Sequence, residues 1–161
     1  MQMRSIVMVA AAGLAFAGCS RKHDDAPPAK PANGAPMAFE VTKVVPGDAF
    51  KSELDVKVYN FSDKAIASYW VLVRFKDGDG KVVHGEPAVG GQNDFDHWSF
   101  SGGKYKCDAS SWCSLKLDPP VPANAKTAEI VAYSLSAVAD DGLHIEQKPL
   151  FELPKMEWPK S

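Results

Sequence analysis

The sequence is poor in the residue types on which most catalytic and metal sites depend. It contains three cysteines and four histidines in 161 residues. None of the histidines, at positions 23, 84, 97 and 144, stands at a recognised spacing from a nucleophile or from a second metal ligand. The 18 basic and 20 acidic residues nearly balance, so no basic face for a nucleic acid is indicated. We therefore predict no catalytic residue, no metal site, no cofactor and no nucleic-acid partner.

The sequence also lacks a long apolar run. The uncharged apolar core near the N-terminus, residues 6–17, has about twelve residues, whereas a helix that crosses hydrocarbon needs ~20. Arg4 precedes this stretch and small residues follow it, which is the order of a secretory signal peptide. We therefore predict a cleaved signal rather than a permanent membrane span, and leave it out of the fold.

The end of this stretch, Phe16-Ala17-Gly18-Cys19, resembles the lipobox of bacterial lipoproteins. In a lipobox, small residues precede a cysteine that receives a diacylglycerol on its sulfur and becomes the new N-terminus. Phe16 stands where leucine is usual. The resemblance implies a signal peptide over residues 1–18, a palmitate-type lipid anchor on Cys19 and a location in the cell envelope. Ser20 favours the periplasmic face of the outer membrane over the inner membrane.

A second cleavage site competes with this interpretation. Ala15-Phe16-Ala17 fits the A-x-A pattern of ordinary secreted proteins, and cleavage there would release a soluble periplasmic protein with a glycan-binding or an unrecognised hydrolytic activity. The number of cysteines argues against it. If Cys107 and Cys113 pair, an unlipidated Cys19 would be an odd thiol in an oxidising compartment.

Residues 19–37 have the composition of a tether. Prolines at positions 27, 28, 31 and 36 alternate with small and polar residues, which keeps the chain extended and leaves little to bury. At ~3.1 Å per residue, such a segment reaches on the order of 50 Å from the bilayer. We interpret the adjacent His23, Asp24 and Asp25 as a solvated charge cluster, because a mobile chain offers no fixed ligand geometry.

Residues 38–161 have the length of one domain, and their periodicity predicts strands. Residues 54–59 alternate apolar and polar side chains, and residues 66–75 are apolar on both parities, as in a strand covered on both faces. Asp77-Gly78-Asp79-Gly80 predicts a reversal into residues 81–84. Further strands are expected at 39–45, 96–100, on both sides of a loop over 107–113, at 128–138 and within 143–153. The pattern predicts an all-β, immunoglobulin-like antiparallel β-sandwich of seven or eight strands.

Three stretches of the domain carry a family resemblance. Residues 58–64 (Val-Tyr-Asn-Phe-Ser-Asp-Lys), 71–77 (Val-Leu-Val-Arg-Phe-Lys-Asp) and 80–83 (Gly-Lys-Val-Val) resemble the immunoglobulin-like domains of bacterial envelope lipoproteins, including the FxLYD type. Phe75-Lys76-Asp77 replaces the aromatic and acidic residues that name that type. The resemblance implies a fold and an envelope location, and it implies no activity.

Cys107 and Cys113 enclose five residues, and in an exported chain a disulfide is the leading assignment. Their spacing is not the Cys-x-x-Cys of thiol oxidoreductases. The surrounding region is rich in aromatic residues, which on a rigid loop could stack on a sugar or anchor a protein partner. The candidate binding residues are Phe95, Trp98, Tyr105 and Trp112, with Trp98 also a candidate for the core. We expect Trp112, between the cysteines, to be the most exposed ring.

Two polar segments of the domain are candidate ligand or metal sites. Asp94 and Asp96 alternate with His97, so a strand would direct the histidine to the opposite face. Asp77-Gly78-Asp79-Gly80 is similar to half of a calcium loop, but Phe75 stands where the first acidic ligand belongs. We therefore predict a solvated loop and a hairpin turn. The function expected from the sequence is a membrane-anchored, non-enzymatic envelope lipoprotein that binds a protein or a glycan.

Overall fold

The computed structural model describes residues 26–48, 51–84 and 95–154. They form eight strands and one 3-10 turn, Gly103–Tyr105. The strands are β1 (Met37–Val45), β2 (Glu53–Asn60), β3 (Ile66–Lys76), β4 (Val82–Val83), β5 (Asp96–Ser101), β6 (Ser111–Leu117), β7 (Thr127–Ala137) and β8 (Phe151–Glu152). One sheet has the order β1-β2-β6. In the other, β3 pairs with β4 and β5 on one side and with β7 on the other, and β8 follows β7. All of these pairs are antiparallel, which confirms the predicted sandwich.

The alternation of residues in β2 determines which face of the three-stranded sheet is buried. Leu54, Val56 and Val58 are buried in the core, whereas Asp55 and Lys57 lie on the outer face. Burying three aliphatic side chains stabilises the strand by roughly 1.5–3 kcal/mol each. In β3, Leu72 is also buried, on the face opposite to the residues that belong to the core. β3 therefore has the partly covered second face that its sequence predicts.

The core lies between the two sheets. The ring of Phe39 on β1 meets the ring of Tyr69 on β3 edge to face, with centroids 6.4 Å apart. Ala35 and Met37 are also buried in this core, although the sequence placed both in the tether. Met37 is the first residue of β1 and Ala35 lies two residues before it, and the pairing of Met37 with Asn60 of β2 carries this apolar segment into the interior. The folded part of the chain thus begins a few residues before position 38.

The predicted strands near the C-terminus are shorter than expected. Residues 143–150 contribute an isolated bridge between Val138 and Ile145, and regular pairing resumes in β8. The carboxylate of Asp141 accepts backbone hydrogen bonds from Leu143 and His144, which holds the chain in a turn where a strand was predicted. The sequence before the Cys107–Cys113 loop likewise forms the 3-10 turn and one bridge rather than a full strand.

Candidate functional site

Two of the four candidate binding rings lie in the interior, and a third is half-buried. Phe95 is fully buried beneath Arg74, whose guanidinium carbon is 4.4 Å from the ring centroid. Tyr105 is buried against Phe100, with ring centroids 5.5 Å apart. Trp98 packs against the core, and its indole N–H is buried without a hydrogen-bond partner among the described residues. Burial removes Phe95 and Tyr105 from the candidate binding surface, whereas Trp98 stays half-buried at the edge of the core.

Trp112 lies within β6 and not at the tip of a loop. It is the register partner of Tyr59 on β2, and the two rings meet edge to face at 5.3 Å. Tyr59 in turn meets Phe61 at 4.7 Å. We call Tyr59, Phe61 and Trp112 the aromatic cluster. All three are half-buried, because each ring shields its neighbour while leaving part of the outer face of the three-stranded sheet apolar.

The predicted disulfide is present between Cys107 and Cys113. Cys107 exchanges two backbone hydrogen bonds with Ile66 of β3, at 2.8 and 2.9 Å. Cys113 pairs with Val58 of β2 in the other sheet. The bond therefore connects the two sheets at the end of the sandwich that carries the aromatic cluster.

The most exposed tryptophan among the described residues is Trp70, which was not among the sequence candidates. Its residue surface is 52% exposed although it lies in β3, between β5 and β7. Ser99 is its direct partner on one side and Ser134 on the other. In the next row, Ser68 is flanked by Ser101 and Ser136. Residues directly opposite one another share a face, so six side chains form what we call the serine platform.

The sequence shows the serines of this platform but not how their strands pair. Serines recur at alternate positions in two of the three strands, as Ser99 and Ser101 and as Ser134 and Ser136, and Ser68 precedes Trp70 by two positions. In each strand by itself, this alternation is typical of any strand with a polar, solvent-facing side. The register between strands that are distant in sequence is what surrounds the indole with hydroxyl groups on two sides.

Asp96 and His97 lie on opposite faces as predicted, but the predicted solvated loop is wrong, because both residues belong to strand β5. Asp96 is buried, and its carboxylate lies 3.4 Å from Nδ1 of His84. His97 is directed to the opposite face, where it stacks on Tyr133 at 5.8 Å. Burial lowers the pKa of His97, and the nearby Asp96 carboxylate partly opposes that effect. Asp94 lies outside the described residues. Asp96 and His97 thus do not share a site.

The Asp77–Gly80 segment is a hairpin turn. The carboxylate of Asp77 accepts backbone hydrogen bonds from Asp79 at 3.0 Å and from Lys81 at 2.9 Å. Gly80 has φ +79°, a left-handed conformation that glycine adopts without strain. Within the described ranges, no group of three or more potential metal ligands is found, and no helix has the length and apolar character required to cross a membrane.

Comparison with models of known protein families, with curated proteins and with solved structures gives no match for this chain. The functional assignment therefore depends on the two surfaces just described, the serine platform and the aromatic cluster, which lie on the outer faces of the two opposing sheets.

Proposed function

We propose that this protein is a lipid-anchored, non-enzymatic binding module of the bacterial cell envelope, and that its serine platform binds a glycan. The observation that carries the proposal is the position of Trp70: a half-exposed indole in the middle of a sheet, with serines as its direct partners on both sides. A large aromatic ring left in water on a rigid strand is the usual form of a binding anchor.

The chemistry of the platform suits a sugar. A pyranose ring has an apolar C–H face that can lie on the indole, and hydroxyl groups at its rim that can exchange hydrogen bonds with serine hydroxyls. Strands lie ~4.8 Å apart, so three strands present a surface about 10 Å across. The nearest charged residues on this face, Arg74 and Glu129, are joined to each other by a hydrogen bond of 2.7 Å. The surface thus favours an uncharged ligand.

A protein partner is the second candidate, and the platform fits it less well. A stable protein interface buries about 800 Å² on each partner, and its centre is enriched in aromatic residues and depleted in serine. The platform offers one exposed ring among five serines. Composition therefore favours a glycan over a protein.

The lipid anchor is supported by the pairing of the other cysteines. Cys107 and Cys113 form a disulfide, so of the three cysteines in the chain, Cys19 is left for another use. An acylated Cys19 carrying two or more chains would hold the protein at a membrane surface durably, since a single acyl chain binds only marginally. The outer membrane, at its periplasmic face, is the proposed location.

Glycan binding is tested by co-sedimentation of the mature protein with purified peptidoglycan sacculi, an insoluble envelope glycan. Trp70→Ala should reduce the bound fraction at least about tenfold, as expected for the loss of a central aromatic anchor worth 1.4 kcal/mol or more. Trp112→Ala is the matched control, because it removes a tryptophan from the opposite sheet, and it should bind as the wild type does. Equal binding by wild type and Trp70→Ala would contradict the glycan site.

The anchor is tested separately by mass spectrometry of the mature N-terminus and by membrane fractionation. We expect an acylated Cys19 and recovery in the membrane fraction, and we expect Cys19→Ser to abolish both. A wild-type protein found in the soluble periplasmic fraction with a free Cys19 thiol would instead support the alternative of a secreted, soluble protein.

A further inference from the structure

The chain joins the folded domain beside the aromatic cluster. The chain enters the domain through a turn in which the backbone N–H of Gly34 donates a hydrogen bond of 3.0 Å to the carbonyl oxygen of Pro31. The carbonyl of Pro36 then accepts a hydrogen bond from the backbone of Phe61 at 2.8 Å. Further back along the chain, the ammonium of Lys30 lies 5.7 Å from the centroid of the Phe61 ring. Any tether that leads to Cys19 thus leaves the domain at this place.

The outer face of the three-stranded sheet changes character along its length. At the end near Lys30, Ala38, Tyr59 and Trp112 are aligned across the three strands. At the other end, Glu53 bonds both Lys43 and Lys116. Tyr59 and Glu53 are six residues apart on β2, or about 20 Å at ~3.3 Å per residue. The apolar end of the face is therefore the end that lies next to the tether.

The aromatic cluster has the composition of a bilayer interface anchor. Tyrosine and tryptophan are enriched where hydrocarbon meets headgroups, because their rings are apolar and their polar atoms remain hydrated. Lys30 adds a cation at the edge of the cluster, in position for a lipid phosphate. Phe61 adds an apolar ring without a polar group.

We propose that the aromatic cluster rests in the headgroup region of the membrane that holds the lipid anchor, and so orients the domain on that membrane. The inference depends on the proposed acylation of Cys19. Lys30 lies eleven positions after Cys19 in the sequence, which at ~3.6 Å per residue limits the reach to about 40 Å. So short a tether gives the cluster a high effective concentration at the bilayer, and even a weak contact is then populated.

This orientation also places the glycan site. The outer faces of the two sheets of a sandwich point in opposite directions, with ~10 Å between the sheets. When the aromatic cluster contacts lipid, the serine platform on the five-stranded sheet is directed away from that contact. Trp70 thus remains open to a glycan while the domain is held at the membrane.

The test uses the lipidated full-length protein, purified from membranes and reconstituted into vesicles of phosphatidylethanolamine and phosphatidylglycerol. Part of the lipid carries bromine high on the acyl chain, where it quenches a nearby indole. Wild-type fluorescence should be quenched, and Trp112→Phe should lose more than half of that quenching. Trp70→Phe, the matched control on the opposite sheet, should retain it. Phenylalanine keeps a ring against Tyr59, so the fold is preserved.

Two negative results distinguish the inference from the proposal beneath it. Protein that does not float with the vesicles contradicts the lipid anchor, and the membrane contact falls with it. Protein that floats while Trp112→Phe is quenched as strongly as the wild type contradicts the membrane contact alone.

Discussion

The side-chain nitrogen of Asn60 lies 3.2 Å from the backbone carbonyl oxygen of Cys107, in a segment 47 residues further along the chain. The same nitrogen is within 2.8 Å of the Lys64 carbonyl and 3.1 Å of the Asp108 carbonyl. The side-chain oxygen accepts from the backbone and the hydroxyl of Ser62. Asn60 is fully buried, so this one side chain satisfies the backbone polar groups of two loops beside the aromatic cluster.

Asn60→Ala should lower the free energy of unfolding by about 3 kcal/mol. The substitution removes the hydrogen bonds that the Asn60 side chain makes to three carbonyls and to Ser62, and each such bond contributes roughly 0.5–1.5 kcal/mol net. Equilibrium urea unfolding measures the change. Asn33→Ala is the control, since the Asn33 side chain accepts one partly buried hydrogen bond, from Ala35, and its loss should cost about 1 kcal/mol or less. A cost no greater for Asn60→Ala than for Asn33→Ala would contradict this role.

The disulfide between Cys107 and Cys113 should contribute about 2 kcal/mol to stability, from the restriction it places on the unfolded chain. In a Cys19→Ser background, the denatured protein should show no free thiol before reduction and two afterwards. The double variant Cys107→Ala with Cys113→Ala should unfold at a lower urea concentration. Two free thiols before reduction would show that the bond does not form in the native protein.

Glu53 should make the fold sensitive to acid. Hydrogen bonds from Lys116 and Lys43 lower the pKa of the Glu53 carboxyl from 4.5 to about 2. A lowered pKa means that the folded state favours the ionised form, so the stabilisation is present above pH 4.5 and is lost as the pH falls towards 2. Thermal unfolding across this range should show a smaller decrease in Tm for Glu53→Gln than for the wild type.

Glu152→Gln is the control for the acid experiment. Glu152 is an exposed residue of the short strand β8, and its replacement should leave the decrease in Tm between pH 4.5 and pH 2 as it is in the wild type. If Glu53→Gln and Glu152→Gln behave alike, the two lysine contacts contribute nothing to stability in solution.

The strands show how much of the fold can be predicted from residues that are close together in the sequence. Residues 54–59 alternate as β2 requires, residues 66–75 are apolar on both parities as the more covered β3 requires, and the Asp77–Gly80 turn forms where its residues predict it. The disulfide follows from the spacing and the expected compartment. Alternation and turn formation depend on neighbours within a few residues, which is why the sequence suffices for them.

The two proposed binding surfaces could not be predicted from the sequence in the same way. Crowding of Phe95, Trp98, Tyr105 and Trp112 in the sequence suggested one aromatic loop. Packing instead buried Phe95 against Arg74 and Tyr105 against Phe100, and it half-buried Trp98 against the core. Trp112 instead joined Tyr59 across a strand pair. A count of aromatic residues gives their density along the chain and does not give their depth in the fold.

The sequence by itself determined the all-β class, most strand positions and the disulfide, because each of these depends on composition or short-range order. Only the tertiary structure decided that Trp70 stands between Ser99 and Ser134, and that the chain joins the domain beside Tyr59, Phe61 and Trp112. Both arrangements require contacts between segments far apart in the sequence, and these form only when the burial of the whole core selects one strand register over the others.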